Sequence, residues 1–248
     1  MELRIAHLYA DLLNIYGDRG NTIVLQRRAQ WRGIAVSVQS IGLGRELAWQ
    51  DFDLIFVGGG QDRQQTLVAA DLRQTKAAAL SAARDDGRVI LAVCGGYQLL
   101  GHSYRGADGG ELPGLGLFDL HTVHPGSAVP RCIGDVVVRC DWDEQRRTLV
   151  GFENHGGRTY LGPRCAPLGS VVAGFGNNGR DGGEGARTHN AFGTYLHGSL
   201  LPKNPWFADH LIATALRRRY GAATTLSRLD DSLEAAAHEA LERRTLQH

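Results

Sequence analysis

Cys94 is the residue of this 248-residue chain whose neighbours most favour chemistry. It ends the apolar run Val89-Ile90-Leu91-Ala92-Val93 and is followed at once by Gly95-Gly96-Tyr97-Gln98. Such a run reads as a strand buried in a parallel sheet, and the small residues after it allow a tight turn into a helix over 95–101. A nucleophile carried at a strand-to-helix elbow needs glycine neighbours, because the backbone is crowded there. N–H groups at the helix start favour negative charge, so they would lower the thiol pKa and help hold an oxyanion. A cysteine that merely packs is the competing reading; the flanking Gly95 to Gln98 tips the balance towards a nucleophile.

Two further segments could complete a site. Gly58-Gly59-Gly60 follows the short apolar run 53–57, at the C-terminal end of a second predicted parallel strand, where ligands of α/β sheets bind. Glycine there lets backbone N–H groups approach a substrate closely. It is not a phosphate loop: no G-K-[ST] occurs in the chain, so no ATP site is expected. Gly193-Thr194-Tyr195-Leu196-His197-Gly198 places a histidine at a strand end, where it could act as general base to the thiol. His155, in Glu153-Asn154-His155-Gly156, and His189 are its serious rivals among ten histidines, and chemistry alone does not rank them.

The elements that must position these residues are legible in outline. Strands are predicted over 3–9, 34–40, 53–57 and 89–93, with helices over 20–32 and 66–86. Asn21 or Thr22 would stand near the first helix's N-cap. This alternation predicts an α/β fold, a single domain with a mostly parallel central sheet and helices on both faces. The middle is less regular, with strands near 136–138, 149–152 and 169–175. Residues 174–185 carry six glycines and read as a mobile loop or hairpin. A strand over 191–196 delivers His197, and Asn204-Pro205 starts a helix reaching Arg219. The domain is drawn at 1–220, with a helical tail at 221–248.

Composition bounds the function. A net charge of +1 gives no electrostatic reason to bind nucleic acid. Hydrophobic residues at 43% and charged residues at 21% describe a globular chain. No secretory signal opens the sequence, and no apolar stretch approaches the roughly 20 residues that span a bilayer. The cysteines at 94, 132, 140 and 165 form no C-x-x-C pair, so structural zinc is not expected. Thiols in a reducing cytoplasm are.

Taken together, these motifs resemble those of the class I (triad-type) glutamine amidotransferases, in their CobB/CobQ-type branch. The Cys94 elbow and the Gly193 to Gly198 segment match that branch's nucleophile and base motifs. Within it, the chain is similar to GatD-type glutaminase subunits of bacterial lipid II isoglutaminyl synthase. The likeness lies in Leu12-Leu13-Asn14-Ile15-Tyr16-Gly17-Asp18-Arg19-Gly20-Asn21, Gly58-Gly59-Gly60-Gln61-Asp62, Gly151-Phe152-Glu153-Asn154-His155 and Gly176-Asn177-Asn178-Gly179.

The resemblance implies Cys94 as nucleophile, His197 as base and Arg131 as the holder of the glutamine carboxylate, a task that suits a bidentate guanidinium. Gly59, through its N–H, and Gln98 are further expected substrate contacts. No metal is expected. It also implies a partner in a heterodimer: a MurT-like Mur ligase homologue that binds ATP, Mg and the lipid-linked muropeptide. No cofactor is then needed in this chain, and lipid II is met only through the partner. The partner would activate the α-carboxylate of D-glutamate, and ammonia released at Cys94 would amidate it. Another acceptor, such as that of a cobyrinate-type synthetase, and a catalytically idle binding subunit of the same fold are the alternatives. One departure stands out. Many class I enzymes carry an acid two residues after the histidine; here that position is Ser199. The partner is expected to orient His197 instead.

Overall fold

The computed structural model describes residues 1–14, 18–60, 62–142 and 145–247. Ile15, Tyr16 and Gly17 of the first motif quoted above, and Gln61 of the second, lie outside the described residues. The strands are β1 (Glu2–Leu8), β2 (Ala35–Ile41), β3 (Leu54–Val57), β4 (Val89–Val93), β5 (Ser103–Arg105), β6 (Glu111–Pro113), β7 (Leu120–Val123), β8 (Cys132–Cys140), β9 (Arg147–His155), β10 (Arg158–Leu161), β11 (Gly169–Ala173), β12 (Gly183–Glu184), β13 (Ala186–Thr188) and β14 (Ala191–Thr194). The helices are α1 (Arg19–Gln30), α2 (Asp62–Asp71), α3 (Ala77–Asp85), α4 (Gly95–Leu99), α5 (Leu200–Lys203), α6 (Pro205–Tyr220) and α7 (Ser232–Leu246).

The central sheet runs β13-β14-β4-β3-β1-β2, and every neighbouring pair in it is parallel except β13 with β14. Alternate residues of its inner strands feed two cores. Leu54, Phe56, Leu91 and Val93 join Leu25 and Ala29 of α1 and Phe207, Leu211 and Ala215 of α6. Ile55, Val57, Ile90 and Ala92 join Val68 of α2, Leu80 and Ala83 of α3 and Tyr97 of α4. Burial on both faces explains why β3 and β4 read as unbroken apolar runs. The edge strand β2 is mostly exposed, and its sequence alternates accordingly.

Two smaller four-stranded sheets, β10-β7-β5-β6 and β12-β11-β8-β9, fill the irregular middle of the chain. The β8–β9 hairpin leans on the segment that follows β14: His197 donates its N–H to the Phe152 carbonyl at 2.9 Å.

Several local expectations are corrected. The first helix begins at Arg19 with Asp18 as N-cap, so Asn21 and Thr22 lie buried inside it. The second begins at Asp62 and is broken by a π turn over Leu72–Lys76. That turn folds Lys76 inward onto Asp71, which also accepts the Tyr9 hydroxyl at 2.7 Å. Of the two readings of residues 174–185, the hairpin is the one observed. Asn177, Asn178 and Glu184 are buried in it, and β12 pairs with β11. Asn204 does stand at the start of α6, but its side chain bonds Val150 and the Leu200 carbonyl instead of capping the helix. The tail helix α7 buries none of its residues. Polar contacts hold it and its lead-in: Arg28 to Asp231, Arg244 to Asp135, and His238 to Thr148 and the Lys203 carbonyl.

Candidate active site

Sheet register places the first two groups. Val93 pairs with Thr194, and one residue further the Cys94 N–H donates to the Thr194 carbonyl at 2.8 Å. Cys94 therefore leaves the C-terminal end of β4 beside the end of β14, from which His197 follows three residues later. The cysteine turns at φ 49° and ψ −111°, a conformation that costs a non-glycine residue about 1–3 kcal/mol. The turn is also crowded. A Cβ at Gly96 would lie 2.6 Å from the Gly58 carbonyl oxygen and 2.9 Å from that of Val57, so only glycine fits. The helix that follows spans five residues. Its help to a thiolate thus reduces to the N–H groups of its first turn rather than a long macrodipole.

Topology ranks the histidines where composition did not. His189 is exposed, in the turn before β14, at the end of that strand opposite His197. His155 is buried, with both ring nitrogens engaged: Nδ1 faces the Gly157 carbonyl at 2.8 Å and Nε2 the Glu153 carboxylate at 3.4 Å. Its ring stacks on Tyr195 with centroids 3.7 Å apart. His155 is thereby a wall of the site, and His197 is left as the histidine at the strand end next to Cys94.

The expected substrate contacts fare differently. Arg131 is exposed at the mouth, beside His124 and Gly156, with its guanidinium braced on the Asn154 side chain at 2.9 Å and carbonyl at 3.1 Å. That position leaves it facing solvent, where a substrate carboxylate could be met. Gln98 is committed elsewhere. Its Nε2 donates to the Tyr195 hydroxyl at 3.0 Å, and its Oε1 accepts from Gln65 Nε2 at 3.1 Å. The chain continues through Thr159 to Thr122, at 2.6 and 2.7 Å. Gln98 thus ties the helix after the elbow to Gln65 and Tyr195. The Gly59 N–H, expected at the oxyanion, donates to Asp18 Oδ2 at 2.6 Å. Gln65, Tyr195 and Asp18 went unremarked as site residues in the sequence because only long-range contacts reveal them.

Comparison with known proteins then decides the family. The profile of the CobB/CobQ-like glutamine amidotransferase domain matches residues 4–205. The chain belongs to this CobB/CobQ-like glutamine amidotransferase family. It is 42% identical over 240 residues to the lipid II isoglutaminyl synthase (glutamine-hydrolyzing) subunit GatD of Staphylococcus aureus, covering 97% of this chain and 95% of that one. The subunit of the same name from Streptococcus pneumoniae is 42% identical over 233 residues, 94% and 87% of the two chains. Among solved structures, PurLQS from Thermotoga maritima superposes with a TM-score of 0.60 at 19% identity, covering 79% of this chain and 88% of that chain, a likeness of fold.

The electrostatics of the amidotransferase site are basic around its histidine. Burial, then His155, Lys203 and Arg131, push His197 down to about 4. Lys203 reaches the same turn, donating to the Gly198 carbonyl at 2.9 Å. At neutral pH the ring is therefore a neutral base. Removing one depressing charge must raise it. Lys203→Met, which keeps the aliphatic stem, is expected to move the acidic limb of a kcat/KM profile for glutamine to higher pH. An acidic limb that stays in place or falls would refute the assignment of that limb to His197. Among the described residues, no group of three or more His, Cys, Asp or Glu is placed to hold a metal ion, and no helix is long and apolar enough to cross a membrane. All four cysteines are thiols.

Proposed function

We propose that this chain is the glutaminase subunit of a two-protein amidating enzyme, with Cys94 and His197 as its catalytic pair. The observation that carries the reading is the β4–β14 register, which brings a strained cysteine and a buried histidine to adjoining strand ends in an amidotransferase fold. The Cys94 thiolate attacks the side-chain amide carbon of L-glutamine, and a carbon–sulfur bond forms. His197 passes the thiol proton to the leaving nitrogen, the carbon–nitrogen bond breaks, and ammonia departs. Water, deprotonated by His197, then cleaves the thioester to glutamate and restores the thiol. Arg131 holds the substrate carboxylate at the mouth, and N–H groups at Gly95 and Gly59 receive the oxyanion.

The names of the relatives support one acceptor. Both GatD subunits belong by name to lipid II isoglutaminyl synthase. The ammonia made here would pass to a MurT-like, ATP- and Mg-dependent ligase, where it displaces phosphate from an activated D-glutamate α-carboxylate of the lipid II stem peptide. The complex would work at the cytoplasmic side of peptidoglycan synthesis. Co-expression with a Mur-ligase-like partner, followed by a glutamine- and ATP-dependent amidation assay on lipid II, tests this. Amidation of a cobyrinate-type acceptor in place of lipid II would overturn the acceptor.

The basic surroundings of His197 stabilise its protonated intermediate poorly, whereas a partner carboxylate docked nearby would do so well. Glutamine turnover is therefore expected to be weak in the isolated chain and to rise about tenfold or more in the complex, part of the roughly 10²–10⁴-fold that a general base contributes. Equal turnover with and without the partner would remove the partner's role in orienting His197.

A further inference from the structure

The carboxylate of Asp18 lies where a substrate atom should. Asp18 is the N-cap residue of α1, yet its side chain makes no capping bond. Instead Oδ2 accepts the Gly59 N–H at 2.6 Å, while Oδ1 is buried without a hydrogen-bond partner among the described residues. The residue is 1% exposed. Gly59 also lies against the elbow: a Cβ built on it would meet Asp18 Oδ2 at 3.1 Å and the Cys94 Cβ at 3.2 Å. Carboxylate, glycine and cysteine thus form one contact set, with the carboxylate taking the donor that faces the elbow.

We propose that Asp18 guards the oxyanion site: in the chain by itself its carboxylate occupies the Gly59 N–H that the tetrahedral intermediate of amide hydrolysis requires, so turnover demands its withdrawal. The inference rests on the glutaminase reading and adds to it a residue that controls when the site is competent. A negative oxygen bound to a backbone N–H is a close mimic of the oxyanion, and the two cannot share one donor. The guard is also weakly anchored. One of its oxygens has no partner among the described residues, and burial pushes the carboxyl up to about 7 against the opposing effect of the Gly59 N–H. Swinging out to water would return that desolvation cost.

The segment that would move touches both walls of the site. Three residues after Asp18, the Asn21 side chain accepts the Leu201 N–H at 2.9 Å, four residues beyond His197. Movement of this end of α1 would therefore be felt at the glycine wall and at the histidine wall together. Asp18 touches no reacting atom in this arrangement; it is a positioning residue that withholds a donor.

The test uses the full chain, alone and with its partner, as wild type, Asp18→Ala and Asp18→Asn. A glutamine-analogue chloroketone, whose carbonyl oxygen needs the same donor, is compared with iodoacetamide, which does not. In the isolated chain, Asp18→Ala is expected to raise both kcat for glutamine and the chloroketone labelling rate of Cys94 roughly tenfold or more, as unmasking one oxyanion donor should. Asp18→Asn, a weaker acceptor of the same shape, should give a smaller rise and covers the case in which alanine does not fold. The iodoacetamide rate should stay within about twofold, since it reports only the thiol. Unchanged or slower chloroketone labelling in the folded variants overturns the guard. So does a raised KM at unchanged kcat, which would make Asp18 a substrate contact. Absence of chloroketone labelling in the wild-type complex takes down the glutaminase reading itself, and the guard with it.

Discussion

Cys94→Ala is expected to abolish ammonia release from glutamine, by about 10⁴-fold or more, because residues that act as one catalytic unit lose nearly everything together. The fold should survive. The thiol is only partly buried, and its contribution to either core is that of a packed neighbour rather than a buried member. Alanine also tolerates the φ 49° turn no worse than cysteine does, so the strain is carried over and not increased. The measurement pairs ammonia release with a thermal melt. A variant that melts as the wild type yet still turns over glutamine within tenfold would refute the nucleophile.

The second large effect is expected at His197. His197→Gln should lower kcat by about 10²–10⁴-fold, the usual worth of a positioned acid–base group. Glutamine fills the buried volume and keeps polar atoms there, so a stability loss should be small beside the kinetic one. Two other histidines provide the contrast. His189→Gln, in an exposed turn, should leave kcat within about twofold, as surface changes generally do. His155→Gln breaks the Glu153 and Gly157 contacts and the stack on Tyr195, and should be felt mainly as a lowered melting temperature. A greater loss of kcat at His155 than at His197 would exchange their roles.

What could be seen in the sequence follows from how each element is stabilised. Strands β3 and β4 were legible because burial on both faces makes them continuous apolar runs that stop at glycine. Strands such as Ser103–Arg105 and Glu111–Pro113 are three residues long, too short to show a period, and are recognisable only from their pairing with each other as a short hairpin. The start of α1 was misplaced because Asp18, Asn21 and Thr22 are all good caps, and none of them caps in the usual way. The site divided along the same line. The position of Cys94 at a strand-to-helix elbow was legible, and that of His197 only beside two rivals, because which strand end a histidine occupies is a property of topology. The surroundings of Gln98 were hidden for a related reason. Its place four residues after the cysteine is local information, but its two hydrogen-bond partners, Gln65 and Tyr195, come from elsewhere in the chain.

The neighbour that completes the elbow, β14, is laid down almost a hundred residues after β4, yet it supplies the carbonyl that fixes the Cys94 N–H. During synthesis the cysteine therefore emerges from the ribosome long before the strand that will sit beside it. Pairings between such distant segments form late, since closing so long a loop is entropically costly. The half-made chain carries Cys94 but neither His197 nor the strand beside it. Glutamine is accordingly safe from this protein until the last strand of the sheet has docked, and the birth of the activity coincides with completion of the fold.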